Sequence, residues 1–262
     1  MIKRRLEGKV AIVTGAGSGI GEATMTLFAS HGVRVVGTGR TLTKLERVLA
    51  GIQEAGGEGI ALAADLSEEG GAERIVAAAL ATFGAVDILV HAAGVGPSWT
   101  EVSPGSMNDL VTTSPEKWRE GIRINLDSAY YCCHAVLPHM LAQGSGAIVN
   151  VASIGGLMGM AGAHTYTAAK AGVINLTRSL CTTYAKDGIR VNCLAPGHID
   201  TPMTASVMDR FDDPQIAEAL CPMQRPGTAM EMAHACLFLA SEEASFCNGT
   251  ILVADGGTTA RL

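Results

Sequence analysis

The chain alternates short apolar segments with longer segments of helical pattern along its whole length. Strands are predicted at residues 10–14, 34–37, 60–63, 88–91, 147–151, 190–194 and 251–254. Helices are predicted at residues 19–31, 42–55, 68–83, 115–141, 165–186 and 230–239. Most of the strand segments are continuously apolar, as expected when a parallel sheet is covered by helices on both faces.

This order predicts the fold class. Strand–helix alternation with right-handed crossovers gives an α/β, doubly wound Rossmann fold, here with a parallel seven-stranded sheet. The 262 residues contain no internal repeat, low-complexity linker or break in composition, so we expect a single dinucleotide-binding and catalytic domain over residues 1–262.

A glycine-rich segment, Thr14-Gly-Ala-Gly-Ser-Gly-Ile-Gly21, joins the first predicted strand to the first predicted helix. Glycines allow a sharp turn and a close approach of the backbone to a pyrophosphate, which the N-terminus of the following helix can bind. A plain glycine-rich turn is the alternative. The position of the segment between a strand and a helix favours dinucleotide binding.

Composition excludes several functions. The net charge is −6, which argues against a nucleic-acid partner. The seven cysteines form no Cys-x-x-Cys pair, so neither a disulfide framework nor a metal site is expected, and a cytoplasmic location fits best. No apolar segment is long enough to span a bilayer, and no membrane partner is expected.

Three residues in the second half of the chain suggest proton-transfer chemistry. Tyr166 and Lys170 are four positions apart on a predicted helix, which places both side chains on one face. A neighbouring ammonium favours the phenolate, and we expect Lys170 to lower the pKa of Tyr166. The Ser153 hydroxyl, directly after a predicted strand, would orient a substrate oxygen against that phenol. An ordinary helix surface is the alternative for the Tyr–Lys pair alone.

The glycine segment together with Tyr-x-x-x-Lys resembles the short-chain dehydrogenase/reductase family, over residues 8 to 257. Further motifs follow in the family's order. His91-Ala-Ala-Gly94 is similar to the family's Asn-Asn-Ala-Gly motif, with His in place of the first Asn, and Pro196-Gly197-His-Ile-Asp-Thr201 is similar to the segment that closes over nicotinamide. Asn125 matches the family's catalytic asparagine, and Asp65 its adenine-contacting acid.

The resemblance implies the role of each catalytic residue. Tyr166 would exchange a proton with the carbonyl or alcohol oxygen, and Lys170 would lower its pKa and bind the nicotinamide ribose. Ser153 would hold the substrate oxygen, and Asn125 would hold a water that links Lys170 to solvent. The implied cofactor-binding residues are Gly15, Ser18, Gly19, Ile20, Gly21, Arg40, Asp65, Leu66, Ala92, Ala93, Gly94, Tyr166, Lys170, Pro196, Gly197, Ile199 and Thr201.

The end of the second strand bears on which nicotinamide binds. NAD-binding proteins usually place Asp or Glu there for the ribose 2′-hydroxyl, whereas this chain has Gly39 and Arg40. A guanidinium can pair with a 2′-phosphate, so NADP(H) is the expected cofactor and NAD(H) the alternative.

The expected substrate is a small-molecule carbonyl or secondary alcohol. Two long connections, at residues 95–114 and 197–226, are expected at the carboxyl edge of the sheet. Trp99 favours a hydrophobic or bulky substrate, together with methionines near or within the predicted lid and pocket, namely Met158, Met160, Met203, Met208 and Met223. Ordinary core or lid packing is the alternative for these methionines. A 3-oxoacyl-thioester reductase and an NAD-dependent steroid or cyclic-alcohol dehydrogenase are specific alternatives. A dinucleotide-sensing regulator without catalysis is the alternative from another class. The helix at 165–186 is apolar around most of its first half, and we expect it to pack in a homotetramer.

Overall fold

The computed structural model describes residues 5–261. Its centre is a seven-stranded, fully parallel sheet. The strands are β1 (Val10–Thr14), β2 (Arg34–Gly39), β3 (Glu58–Ala63), β4 (Ile88–His91), β5 (Gly146–Val151), β6 (Ile189–Pro196) and β9 (Ile251–Ala254), in the order β3-β2-β1-β4-β5-β6-β9. The predicted Rossmann sheet is confirmed.

Helices cover both faces of the sheet. They are α1 (Gly19–Ser30), α2 (Leu42–Glu54), α3 (Gly71–Phe83), α4 (Pro115–Ile122), α5 (Ser128–Gln143), α6 (His164–Tyr184), α7 (Ala205–Met208), α8 (Pro214–Leu220) and α9 (Ala229–Ala240). One buried cluster joins the sheet to α1, α2 and α9, and a second joins it to α3 and α5. The continuously apolar strands are explained by this double cover, because β1 and β4 are buried at every position.

The two long connections contain structure that the sequence pattern did not predict. A short 3₁₀ helix (Pro97–Glu101) begins the first connection. The second contains α7, α8 and a two-stranded parallel ladder of β7 (Ile199–Asp200) with β8 (Gly227–Thr228). Both connections follow strands of the main sheet, so they lie at its carboxyl edge, where ligands bind in open α/β sheets.

The single helix predicted at 115–141 is wrong, because a turn of π-helix (Arg123–Asp127) separates α4 from α5. Ser128 N–H bonds the carbonyl of Arg123, five residues earlier. An i→i+5 turn holds one more residue than an α turn and often marks a functional site. Asn125, a predicted catalytic residue, lies in this turn.

Across residues 5–261 we find no helix that combines the length and the apolar character needed to cross a bilayer.

Candidate active site

The loop between β1 and α1 is a close-packed glycine turn. A Cβ at Gly21 would lie 2.3 Å from the carbonyl oxygen of Gly15, so only glycine lets the start of α1 approach the loop backbone. Gly19 has a φ of +54°, and a Cβ there would meet the Thr201 side chain at 3.1 Å. The turn leaves the N-terminus of α1 facing a cleft, which is the arrangement that binds a pyrophosphate.

The cleft at the carboxyl edge of the sheet begins at this turn. Its lining includes most of the predicted cofactor residues, namely Gly15, Ser18, Gly19, Ile20, Gly21, Arg40, Asp65, Leu66, Ala92, Ala93, Gly94 and Thr201. The lining of the cleft therefore fits a dinucleotide. Glycines lie where a phosphate would approach the backbone, and cationic side chains lie at one end of the cleft.

Thr14 is a structural part of the cleft that the sequence reasoning missed. Its buried Oγ1 accepts hydrogen bonds from the N–H groups of Ala92 and Ala93, at 3.0 and 2.9 Å. The end of β1 is thereby fixed to the segment that follows β4. Its position as the last residue of an apolar strand is a signal that could have identified it.

Arg40, Thr41, Lys44 and Asp65 form the far end of the cleft. Asp65 Oδ1 accepts from Ser67 N and Oγ at 2.9 and 2.7 Å. Burial acts to raise the pKa of Asp65, but these hydrogen bonds and the charges of Arg40 and Arg123 outweigh it and lower the pKa. Thr41 and Lys44 were not predicted, although both stand beside Arg40 at the start of α2.

Ser153, Tyr166 and Lys170 come together at the other end of the site. Ser153 follows β5, and its Oγ accepts from Gly155 N at 3.0 Å, which leaves the hydroxyl proton free to donate. The Ser153 hydroxyl also lies close enough to Tyr166 to act to lower the pKa of its phenol. The Lys170 Nζ lies 5.8 Å from the centre of the Tyr166 ring and donates to the Val151 carbonyl at 3.0 Å.

Burial determines the proton affinities of this pair. It lowers the pKa of Lys170 to about 8 and raises the pKa of Tyr166, against the effect of the Ser153 hydroxyl. The net shift of the Tyr166 pKa in this structure is therefore upward, opposite to the expected direction. The physical reason is that both groups are desolvated and the ammonium is engaged by the Val151 carbonyl.

Gly94 joins the cleft to two of the predicted catalytic residues, Asn125 and Lys170. A Cβ at Gly94 would lie 2.9 Å from Asn125 Oδ1 and 3.3 Å from Lys170 Nζ. Asn125 is fully buried, accepts from Val95 N at 3.0 Å and donates through Nδ2 to the Gly121 carbonyl at 3.2 Å. Asn125 and Lys170 thus flank a residue that itself lines the cleft.

His91 is neutral and structural. It is fully buried, and burial lowers its pKa to about 3. Its Nε2 lies 3.2 Å from Ser128 Oγ, which donates its own proton to the Ile124 carbonyl at 2.7 Å. His91 Nε2 is therefore the protonated nitrogen and the donor.

Two methionines flank the Tyr166 ring. A Cβ at Gly96 would meet Met203 Sδ at 3.0 Å and the Tyr166 ring at 3.9 Å. A Cβ at Gly155 would meet Met160 Sδ at 2.7 Å and the ring at 3.5 Å. The surroundings of the phenol are thus partly apolar.

Five predicted cofactor residues do not line the cleft, namely Tyr166, Lys170, Pro196, Gly197 and Ile199. The first two are the predicted catalytic pair, which lies beside the cleft. Ile199 is buried and pairs with Gly227 in the small ladder. Gly197 packs against Asp255, since a Cβ at Gly197 would meet the Asp255 Cα at 2.8 Å.

Other reactive side chains are placed elsewhere. His198 packs edge-on against Phe211, with ring centres 5.8 Å apart. All seven cysteines are free thiols. Within residues 5–261, no group of three or more His, Cys, Asp and Glu side chains is arranged to hold a metal ion.

Comparison with known proteins gives consistent results. A family model described as enoyl-(acyl carrier protein) reductase matches residues 15–259. The chain is 40% identical to 2-(R)-hydroxypropyl-CoM dehydrogenase of Xanthobacter autotrophicus, over 96% of this chain and 99% of the relative. It is 38% identical to cyclohexanol dehydrogenase of an Acinetobacter species, over 100% of this chain and 99% of the relative.

A solved structure is similar along nearly the whole chain. It is described as an NAD(P)-dependent gluconate 5-dehydrogenase from Beutenbergia cavernae with NADP bound at low occupancy. The TM-score is 0.89 and the identity 36%, covering 98% of this chain and 99% of that one. From the family match, these relatives and the parallel sheet, it follows that the chain belongs to the short-chain dehydrogenase/reductase family of NAD(P)-dependent oxidoreductases.

Proposed function

We propose that this protein interconverts a hydrophobic or bulky carbonyl compound and its secondary alcohol, with NADP(H) as the preferred cofactor and Tyr166 as the acid/base. The observation that supports the proposal is the closeness of Gly94, which lines the cleft, to two of the proposed catalytic residues: a Cβ at Gly94 would lie 2.9 Å from Asn125 Oδ1 and 3.3 Å from Lys170 Nζ. The whole machinery is proposed to belong to one domain over residues 1–262.

The proposed chemistry divides between cofactor and protein. The nicotinamide, when bound, supplies or accepts the hydride. Tyr166 gives a proton to the carbonyl oxygen in reduction and removes it from the alcohol in oxidation. Ser153 can donate to the same oxygen, because its Oγ accepts from Gly155 N and its own proton remains available. Lys170, buried and close to the phenol, stabilises the phenolate that forms after proton donation.

The apolar surroundings of Tyr166 support the substrate class. Met203 and Met160 lie on either side of its ring, and thioether side chains pack adaptably against apolar groups. Relatives named for cyclohexanol and hydroxypropyl-CoM favour an alcohol or ketone over a nucleotide sugar.

The substrate class is tested by measuring the change in nicotinamide absorbance with a panel of aliphatic, cyclic and steroid ketones and a 3-oxoacyl thioester. Turnover of the thioester alone would replace the proposal with a 3-oxoacyl-thioester reductase. Binding of cofactor without turnover of any member would favour a sensor.

The preference for NADP(H) depends on Arg40. No carboxylate lies at the end of β2, and Arg40 stands with Lys44 at the end of the cleft. We expect Arg40→Ala to lower kcat/KM for NADPH about ten- to one hundred-fold, as for loss of a charge-assisted bond of about 1.5–3 kcal/mol. Since NADH has no 2′-phosphate, its kcat/KM is expected to change much less. Steady-state kinetics with both cofactors measure the ratio of kcat/KM for NADPH to kcat/KM for NADH. A wild type that prefers NADH would contradict the proposed preference for NADP(H).

The protein is proposed to assemble as a homotetramer. Support comes from α6, which is mostly apolar or small in sequence in its first half, and from α5, on which Tyr130 and Leu141 are exposed in the monomer. Multi-angle light scattering distinguishes a tetramer from a dimer or monomer. A cytoplasmic location is proposed as well, and it is supported by seven unpaired thiols.

A further inference from the structure

The Arg40 guanidinium lies over the ring of Trp99, a residue of the connection after β4. Its guanidinium carbon lies 4.5 Å from the centre of the Trp99 ring. Arg40 is exposed, and within residues 5–261 its guanidinium makes no ion pair and no hydrogen bond. Among those residues, the structure shows this guanidinium on the indole face of Trp99, and its charge also acts on Asp65.

The Trp99 indole is itself fixed by a polar network. Its Nε1 donates to Glu120 Oε1 at 3.0 Å, and Glu120 Oε2 accepts from Ser103 Oγ at 2.8 Å and from Lys117 Nζ at 2.9 Å. Burial acts to raise the pKa of Glu120, but the hydrogen bonds from Lys117, Ser103 and Trp99 prevail and lower it, so the carboxylate stays charged. Three side chains, one on the connection after β4 and two on α4, therefore hold the ring in place.

Stacking leaves the donors of Arg40 available. A guanidinium that lies on an aromatic ring is covered on one face, while its N–H groups point outward in its own plane. A planar fork held in this way suits bidentate contact with a phosphate. An unrestrained arginine must lose about 2 kcal/mol of side-chain rotamer freedom to reach one such geometry.

We infer that Trp99 is a positioning residue that orders Arg40 for the 2′-phosphate of NADP(H), so that a residue of the connection after β4 contributes to cofactor choice. The inference rests on the proposed preference for NADP(H). It deepens that proposal, because the selectivity for NADP(H) over NAD(H) then depends on a residue outside the end of β2 as well as on Arg40. The connection that carries Trp99 also bonds the far side of the site, through Ser98 N to the Met203 carbonyl at 3.2 Å.

The test uses the ratio of the dissociation constants for NADH and NADPH, measured by direct fluorescence of the reduced nicotinamide. We expect Trp99→Leu to lower this ratio about two- to five-fold, the equivalent of an exposed cation–π contact. Trp99→Phe keeps an aromatic face and is expected to retain most of the ratio. Trp118→Leu makes the same change at the chain's other tryptophan, on α4, and is expected to leave the ratio as it is.

The decisive measurement is the effect of Trp99→Leu on this ratio of dissociation constants in proteins that also carry a substitution at Arg40. In an Arg40→Ala background, Trp99→Leu should have no further effect on the ratio, since the ring acts through the guanidinium. Arg40→Lys, on an exposed side chain, keeps a charge that can still lie over the ring, so Trp99→Leu should keep part of its effect in that background. An equal loss in all backgrounds, or none in Trp99→Leu, would overturn the inference.

Failure of the inference and failure of the proposed function give different results. If Arg40→Ala lowers the ratio and Trp99→Leu does not, only the role of Trp99 is refuted. If Arg40→Ala leaves the ratio unchanged, the proposed basis of the NADP(H) preference is refuted, and the inference with it.

Discussion

Tyr166→Phe is expected to lower kcat for ketone reduction by about 10²–10⁴-fold, the usual contribution of a general acid. The substitution removes one oxygen and retains the ring between Met203 and Met160, so the shape of the site is kept. Binding of NADPH should change little, because Tyr166 does not line the dinucleotide cleft. Stopped-flow or steady-state rates together with a fluorescence titration of NADPH separate the two effects.

Tyr184→Phe is the matched control, since it makes the same substitution on the same helix, α6. Its rate is expected to equal that of the wild type. A Tyr166→Phe enzyme within a few-fold of the wild type would rule out Tyr166 as the acid/base.

The direction of the Tyr166 pKa shift also fixes a pH dependence. Burial raises this pKa above its ordinary value, so the phenol is protonated at neutral pH and suited to donate in reduction. Alcohol oxidation needs the phenolate and should accelerate as pH rises into the alkaline range. Rates that are independent of pH in both directions would contradict this assignment.

Lys170→Met is expected to remove most activity and at the same time to change how stability depends on pH. Lys170 is 5% exposed, and burial lowers its pKa to about 8 from an ordinary 10.5. Folding at neutral pH therefore confines a charge that would be better solvated in the unfolded chain. A methionine of similar length fills the same space without that charge.

The sign follows from proton binding. Between pH 8 and 10.5 the unfolded lysine holds its proton while the folded one has lost it, so wild-type stability rises with pH relative to the variant. Between pH 7 and pH 10, we expect the free energy of unfolding of the wild type to rise by about 2 kcal/mol more than that of Lys170→Met.

Urea unfolding of both proteins at several pH values measures this difference. Lys186→Met, at an exposed lysine in the turn after α6, should give curves parallel to those of the wild type. Parallel curves for Lys170→Met as well would mean that the lysine is not desolvated in solution.

The sequence predicted the sheet well because its strands are buried on both faces. Strands β1, β4 and β9 begin and end as predicted, since a short run of apolar residues between turn residues has few other interpretations. The glycine turn also followed from local pattern, whereas most of the other cleft residues were implied by the family resemblance. The strands and the turn are each encoded within a few consecutive positions.

What the sequence did not predict depends on tertiary contact. The π turn at 123–127 has helical composition and could not be distinguished from an α turn. The sign of the Tyr166 pKa shift reflects burial, which is a property of the assembled fold. The stacking of Arg40 on Trp99 joins residues 59 positions apart in the chain and carries no local signal.

The π turn limits how the chain can change in length. Deleting one residue there would restore ordinary helical winding and rotate α4 against α5 by about 100°. Helix α5 is fixed to the sheet by Cys132, Val136 and Met140, so the rotation would swing Asn125 away from Gly94. Insertions and deletions tolerated in evolution should therefore collect in the exposed stretch at 109–112, while the count of residues from Gly121 to Ser128 stays constant.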